Sequence, residues 1–402
     1  MDAGVREVLD LALRWVHVVA AIMWIGNSLL WNWIDRNLEP SKQGRPGIQG
    51  EIWLLHSGAF YFMEKDLKGW DRDRPLHWFK WQAYTTWLTG AGLLAVVYYA
   101  SAGAMLVDPA VADLDPGTAV LIGIGTIVGA WLVYHHGIAR LLARAGAAAA
   151  LLGLALVVGV AYGLTHLFSG RAAFLHVGAL LGTLMAGNVF RVIMPAQREL
   201  VSAVEGGRTP DPAPARRAKE RSIHNNYIVF PVIALMLVSH FPGIYGHRWN
   251  WLLLALLVVA GAGVRHVLNI RFTYPHWKPA LAATIAASLA LLYLALALPA
   301  GSGATPVGST APGAGPVSFA QANAVLQKRC TVCHSADAAD RTFGVAPAGV
   351  AFDTPEQIHA RADRILARAV TGRTMPPANK TFITDEEREV LRGWIEGGAE
   401  VP

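Results

Sequence analysis

The chain has 402 residues, of which 53% are apolar and only 15% charged, against about 25% charged in an ordinary soluble domain. Mean hydropathy is +0.36, and from Pro279 to Gln327 there is no Asp, Glu, Lys or Arg. These figures exclude a wholly soluble globule and a disordered chain, and they leave a polytopic membrane protein with room for one further soluble domain.

A helix crossing about 30 Å of hydrocarbon needs about 20 residues. Runs of that kind predict eight transmembrane helices, near 8–34, 81–107, 116–139, 145–170, 172–195, 222–247, 248–268 and 279–300. The first run lacks a small-residue cleavage site and is too long for a signal peptide, so it reads as a retained helix. Trp31, Trp33, Trp78, Trp81, Trp249, Trp251 and Trp277 sit at the ends of runs, as interfacial belts require. Gly125–Gly129 and Gly178–Gly182 are small-xxx-small pairs, read equally as close helix contacts or as ordinary apolar-helix glycines. The connection over 35–80 holds HSGAFYFMEK (56–65) and LHWFKWQ (76–82), expected as an amphipathic helix on the inner surface or as a pocket wall. PDPAPARRAKER (210–221) reads as a mobile cytoplasmic loop.

The charges between runs assign the sides. Connections 35–80, 140–144, 191–221 and 265–278 hold 20 basic residues, whereas the opposite side holds four: Arg6, Arg14, Arg171 and Arg248. The positive-inside rule therefore puts both termini outside the cytoplasm, in an inner (cell) membrane. Residues 318–402 carry 10 basic and 11 acidic groups, so the pI of 9.4 is a topology signal and nucleic acid is not a partner.

Ionisable groups inside a membrane are functional candidates by default. His17, His166, His176 and His240 fall near the outer helix ends, and His135, His136, His224 and His266 near the inner ends. The outer layer has two readings: a second, b-type haem held by histidines from different helices, with His17, His176 and His240 as candidate ligands, or interfacial histidines bonded between helices. The inner layer adds Asn188, Arg191, Asn225, Asn226 and Tyr227, the donors and cation that a small planar anion needs in an apolar pocket. His224, Asn225 and Arg191 are the candidate catalytic residues.

Residues 299–317 form a linker of small residues and proline, and a soluble unit follows over 318–402. It contains both cysteines of the chain, in Cys330-Thr-Val-Cys333-His334, the attachment motif of a covalent c-type haem. Two thiols at this spacing reach both vinyl groups and the adjacent His334 reaches the iron. Met375, 41 residues further on, is the candidate sixth ligand. A redox dithiol would need a βαβ setting and a zinc site two more ligands, and His359 alone does not supply them. Ser318 is placed to cap one helix, with Phe319, Val325 and Leu326 as its apolar face. Thr384 and Glu387 form a capping box for another, which carries Leu391, Trp394 and Ile395. The chain thus reads as all-α: a bundle of eight transmembrane helices over 1–298, the linker, and a small helical cytochrome c domain.

HVVAAIMWIGNSLLWNWIDRNL (17–38), IWLLHSGAFYFMEK (52–65), LHWFKWQAYTTWLTG (76–90), HVGALLGTLMAGNVFRVIMPAQRE (176–199), RSIHNNYIVFPVIALMLVSHFP (221–242), CTVCHS (330–335) and TMPP (374–377) together resemble the bacterial membrane-bound urate oxidases (urate hydroxylases). That family joins an eight-helix membrane domain to a C-terminal cytochrome c. The resemblance implies oxidation of urate to 5-hydroxyisourate in purine breakdown, with electrons leaving through the cytochrome to a downstream respiratory acceptor. It fixes no catalytic position in the membrane part. From the residues alone, a transporter or an electron-transfer module with a tethered cytochrome c stays open, although the paired Gly/Pro-broken helices of a transporter are not evident.

Overall fold

The computed structural model describes residues 3–42, 44, 46–108, 111–297, 317–340, 346–347, 350–371, 373 and 375–402. Most of the linker therefore lies outside the described residues. Helix α1 (Ala3–Asn37) is apolar on most sides, and little of it is covered by the rest of the chain. The connection that follows is a correction to the all-α reading. It holds two antiparallel strands, β1 (Ile48–His56) and β2 (Ala59–Asp66), and no amphipathic helix. Ser57 and Gly58 both have positive φ, 51° and 75°, which is the two-residue turn whose twist matches paired strands. Trp53 and Phe62 face each other across the ladder with ring centroids 4.8 Å apart. Aromatic cross-strand pairing at an S-G turn outweighs a helical pattern here.

Helix α2 (Lys80–Leu93) widens into a π-helical turn, Leu94–Tyr99, and breaks before the short α3 (Ala102–Met105). Asp115 caps α4 (Pro116–Val133), accepting from the Thr118 N–H. A second π turn, Tyr134–Ile138, leads into α5 (Ala139–Thr165) without an intervening loop. The only break in that rod is at Gly146, whose φ of 48° departs from helical geometry. Helix α6 (Gly170–Asn188) runs through a third π turn, Val189–Ile193, into α7 (Met194–Glu205).

Helix α8 (Pro212–Val238) starts ten residues before the predicted span. From Pro212 onward the 210–221 segment is thus helix and not a mobile loop, because the Asp211 side chain caps it by accepting from the Ala213 N–H and Pro212 takes the first-turn position. After α9 (Pro242–Tyr245), α10 (Asn250–Ile270) and α11 (Trp277–Ala297) form the final pair of this region. Six helical stretches among the described residues are long and apolar enough to cross a membrane, counting 116–165 as one.

Helix α6 sits at the centre, packed against α4, α5 and α8, with His176, Asn188 and Phe174 fully enclosed. Close approach is secured by glycine at two helix crossings. A Cβ on Gly178 would lie 2.9 Å from Met236, and one on Gly261 would lie 2.7 Å from the Pro231 nitrogen. Gly125, Gly129 and Gly182 meet nothing, so of the two small-residue pairs only Gly178 makes a close contact.

The C-terminal unit is built from α12 (Phe319–Arg329), α13 (Pro355–His359), α14 (Ala362–Ile365), a π turn at Leu366–Thr371, a 3-10 turn at Pro377–Asn379 and α15 (Asp385–Glu396). Ser318 and Thr384 cap α12 and α15 through complete capping boxes. The two helices pack on each other around Leu326, Leu391 and Trp394. The turn at Pro377–Asn379 rests against α3.

Candidate functional site

The π turn after α4 rotates Tyr134 and His135 toward α6 and α8. Extra-residue turns of this kind recur at functional sites because they re-aim side chains within an otherwise regular helix. Asn188 Nδ2 donates to the Tyr134 hydroxyl at 2.8 Å and to Asn225 Oδ1 at 2.8 Å. The Tyr134 oxygen is thereby occupied as an acceptor, so its O–H donates to His224 Nδ1, also at 2.8 Å. Asn225 Nδ2 closes the network on the Met185 carbonyl at 3.0 Å. Arg221 stacks over the Tyr134 ring at 5.2 Å and reaches the His135 carbonyl at 3.5 Å. His135 in turn stacks on Trp131, with centroids 4.8 Å apart.

Three polar atoms of this cluster are buried without a partner: Arg221 Nη1, Asn188 Oδ1 and His135 Nδ1. Arg221 is 9% exposed and Asn188 not at all. From Arg221 to Ala336 the sequence contains no Asp or Glu, and the one carboxylate of α8, the neighbouring Glu220, forms no ion pair with this cation among the described residues. A buried guanidinium without a countercharge is costly. Together the three atoms offer a positive charge, a hydrogen-bond acceptor and a ring nitrogen of either sense. That combination suits a planar anion bearing ring N–H and carbonyl groups.

Of the predicted catalytic residues, the structure brings His224 and Asn225 into one network and leaves Arg191 out of it. Arg191 lies on the third π turn and is exposed. The cation in the cluster is Arg221, which sequence reasoning counted only as a topology charge, and Tyr134 was not singled out at all. A signal for Arg221 existed: it precedes His224 by three residues and Asn225 by four, the spacing of one helix face. It becomes readable only once α8 is started at Pro212.

Two of the outer histidines, His17 and His176, sit in separate hydrogen-bond networks. His17 engages α2 through Nδ1, with the Thr86 carbonyl at 2.9 Å and Thr89 Oγ1 at 3.1 Å. His176 is sealed in the core with both nitrogens engaged, Nδ1 to the Ala172 carbonyl at 2.8 Å and Nε2 with the Tyr99 hydroxyl at 3.1 Å. Phe168 and Tyr98 close over its ring. Among the described residues no hydrogen bond or ring contact joins His17, His176 and His240. With both of its ring nitrogens engaged, His176 does not fit as a haem ligand in this arrangement, and no step is assigned to such a group.

In the C-terminal unit, Cys330 and Met375 border the same apolar core. His334 Nδ1 donates to the Val350 carbonyl at 2.8 Å, and the Phe352 N–H returns to the His334 carbonyl at 2.9 Å. A ligand histidine is oriented in this way, with one nitrogen held by a carbonyl so that the other faces the metal. Arg388, on α15, donates to the carbonyls of Ala369 and Met375 and so fixes the methionine loop. The two cysteines are not joined in a disulfide. Burial pushes the Cys330 thiol up to about 12, and burial together with the Asp340 carboxylate pushes Cys333 up to about 11. A reactive dithiol needs the opposite shift. The donor set, two thiols, an oriented imidazole and a thioether around one apolar core, fits a covalent haem.

Fold and clusters define a mostly helical protein able to cross a membrane, with a polar site between its helices and a small helical unit at its C-terminus. The family model described as "Urate oxidase N-terminal" matches residues 3–297, and the chain belongs to that family. No curated protein and no solved structure matches it.

Proposed function

We propose that residues 3–297 cross the membrane eight times and oxidise urate to 5-hydroxyisourate, with electrons leaving through a covalent haem c in the C-terminal unit. Eight crossings follow when the 116–165 rod is divided at Gly146 and the helical stretch 80–99 is counted. The charge asymmetry then sets the Tyr134–His224 layer on the cytoplasmic side and the cysteine motif on the outer side, where such haem is attached. Purine breakdown fits this assignment, with a respiratory carrier as final acceptor.

The observation that carries the substrate assignment is the buried, uncompensated Arg221 guanidinium beside the orphaned Asn188 Oδ1 and His135 Nδ1. Arg221 neutralises the urate anion, and Asn188 Oδ1 accepts from a ring N–H. Urate and one water yield the hydroxylated product, two protons and two electrons. Tyr134 and His224 handle a proton: as the phenol oxygen takes one from the substrate side, its own O–H proton passes along the 2.8 Å bond to His224. Cys330, Cys333, His334 and Met375 would hold the haem, which accepts electrons one at a time when bound. The turn after Met375 rests against α3, which supports direct delivery from the membrane part.

Anaerobic addition of urate to the oxidised protein tests the reading. The haem absorption is expected to shift to the reduced form, and Arg221→Gln to raise the urate concentration required by about a hundredfold. A haem spectrum unmoved by urate rejects the substrate while leaving the cytochrome assignment standing.

A further inference from the structure

A second polar group lies on the other flank of α8, facing α10. Arg265 is 5% exposed. Its Nε donates to Asn226 Oδ1 at 2.9 Å, and Asn269 Nδ2 donates to the same oxygen at 2.7 Å. The guanidinium lies over the Phe230 ring at 5.6 Å. Its two terminal nitrogens donate to no side chain or carbonyl among the described residues, and no carboxylate is within ion-pair reach. The acid-free stretch from Arg221 to Ala336 covers α8 beyond Glu220, the connection and all of α10.

The position identifies the kind of anion. Arg265 precedes the end of α10 at Ile270 by five residues, about 8 Å along the axis. The connection that follows adds Arg271, the first turn of α11 adds Lys278, and neither holds an acid. Gly261 pulls the two helices together at Pro231, so polar side chains fill the space on the inner side of that crossing. Basic pockets between helices on the cytoplasmic side suit lipid phosphate.

We propose that Arg265, Asn226 and Asn269 form a phosphate-binding site that holds the headgroup of an anionic phospholipid from the inner leaflet. With Asn226 Oδ1 saturated by two donors, its amide nitrogen and the Arg265 terminal nitrogens are the groups that meet the phosphate. The inference rests on the membrane reading and not on the substrate, since Arg221 and Arg265 serve opposite flanks of α8.

The test measures phospholipid retained by the full-length protein after purification in mild detergent, and its thermal unfolding with added phosphatidylglycerol, phosphatidylcholine or inorganic phosphate. The wild type is expected to retain anionic lipid and to be stabilised by phosphatidylglycerol only. Arg265→Gln should retain about tenfold less, and Arg248→Gln, an equal charge loss on the opposite side, the wild-type amount. Should Arg265→Gln fail to fold, Asn269→Ala, which keeps the cation, is expected to bind with intermediate strength. Equal retention in Arg265→Gln or Asn269→Ala and in the wild type overturns the site. Stabilisation by inorganic phosphate without retained lipid overturns the headgroup as its source.

Discussion

At the scale of single residues, the chemistry is set by which polar groups are left unsatisfied once the helices have packed. Arg221 is enclosed by the Tyr134 ring and a backbone carbonyl, and a neutral environment of that kind does not offset a full charge. Tyr134 accepts a hydrogen bond from Asn188 on one side and donates one to His224 on the other. Tyr134→Phe removes only that hydroxyl. The expected outcome is a urate-dependent haem reduction about a hundredfold slower, with the urate concentration at half-saturation little changed, measured by anaerobic stopped flow. A change confined to half-saturation would instead assign Tyr134 to binding. Lysine is not expected to substitute for Arg221, because a point charge replaces a planar fork.

At the scale of elements, two contacts can be tested through stability. Gly261 allows α10 to reach the proline of α8, and Gly261→Leu forces the crossing open. It is expected to cost about 1–3 kcal/mol, read as a lowered unfolding temperature in detergent. In the C-terminal unit, Glu387 on α15 pairs with Arg329 at 2.9 Å, next to the first cysteine. Burial acts to raise the Glu387 carboxyl, but hydrogen bonds from Arg329, the Thr384 backbone and Lys328, with the Arg329 charge, hold it below the usual range. A depressed carboxyl stabilises above its unfolded pKa of about 4.3, and the stabilisation is lost as pH falls through the folded value. Glu387→Gln is therefore expected to lower stability at neutral pH by about 2 kcal/mol and to flatten the acid loss, followed by chemical denaturation at several pH values.

At the scale of the whole molecule, the proposed function divides substrate and electrons between the two regions. Cys330→Ser combined with Cys333→Ser removes the covalent attachment. That variant is expected to bind urate in equilibrium dialysis while giving no haem stain on a denaturing gel. Retention of covalent haem would refute the attachment sites. The topology is checked at the hairpin tip: Ser57→Cys should react with a membrane-impermeant maleimide in inverted vesicles and not in intact cells.

What the sequence determined by itself is what neighbours and solvent decide locally. Charge-free runs, the bias of basic residues to one side, the Cys-x-x-Cys-His motif and the capping boxes at Ser318 and Thr384 depend on a few consecutive residues and the medium around them. The hairpin belongs to that group as well, since Ser57-Gly58 between aromatic runs marks it, but the expectation of a surface helix masked it. Only the tertiary structure decided which of the many polar side chains meet. Arg221, Asn188 and Tyr134 lie on three helices distant in sequence, and Arg191, equally cationic, stays at the surface. His17 and His176, similar in sequence setting, end in separate hydrogen-bond networks. The rotation of each helix about its axis, set by glycine contacts and π turns, fixes those partners, and no local pattern encodes it.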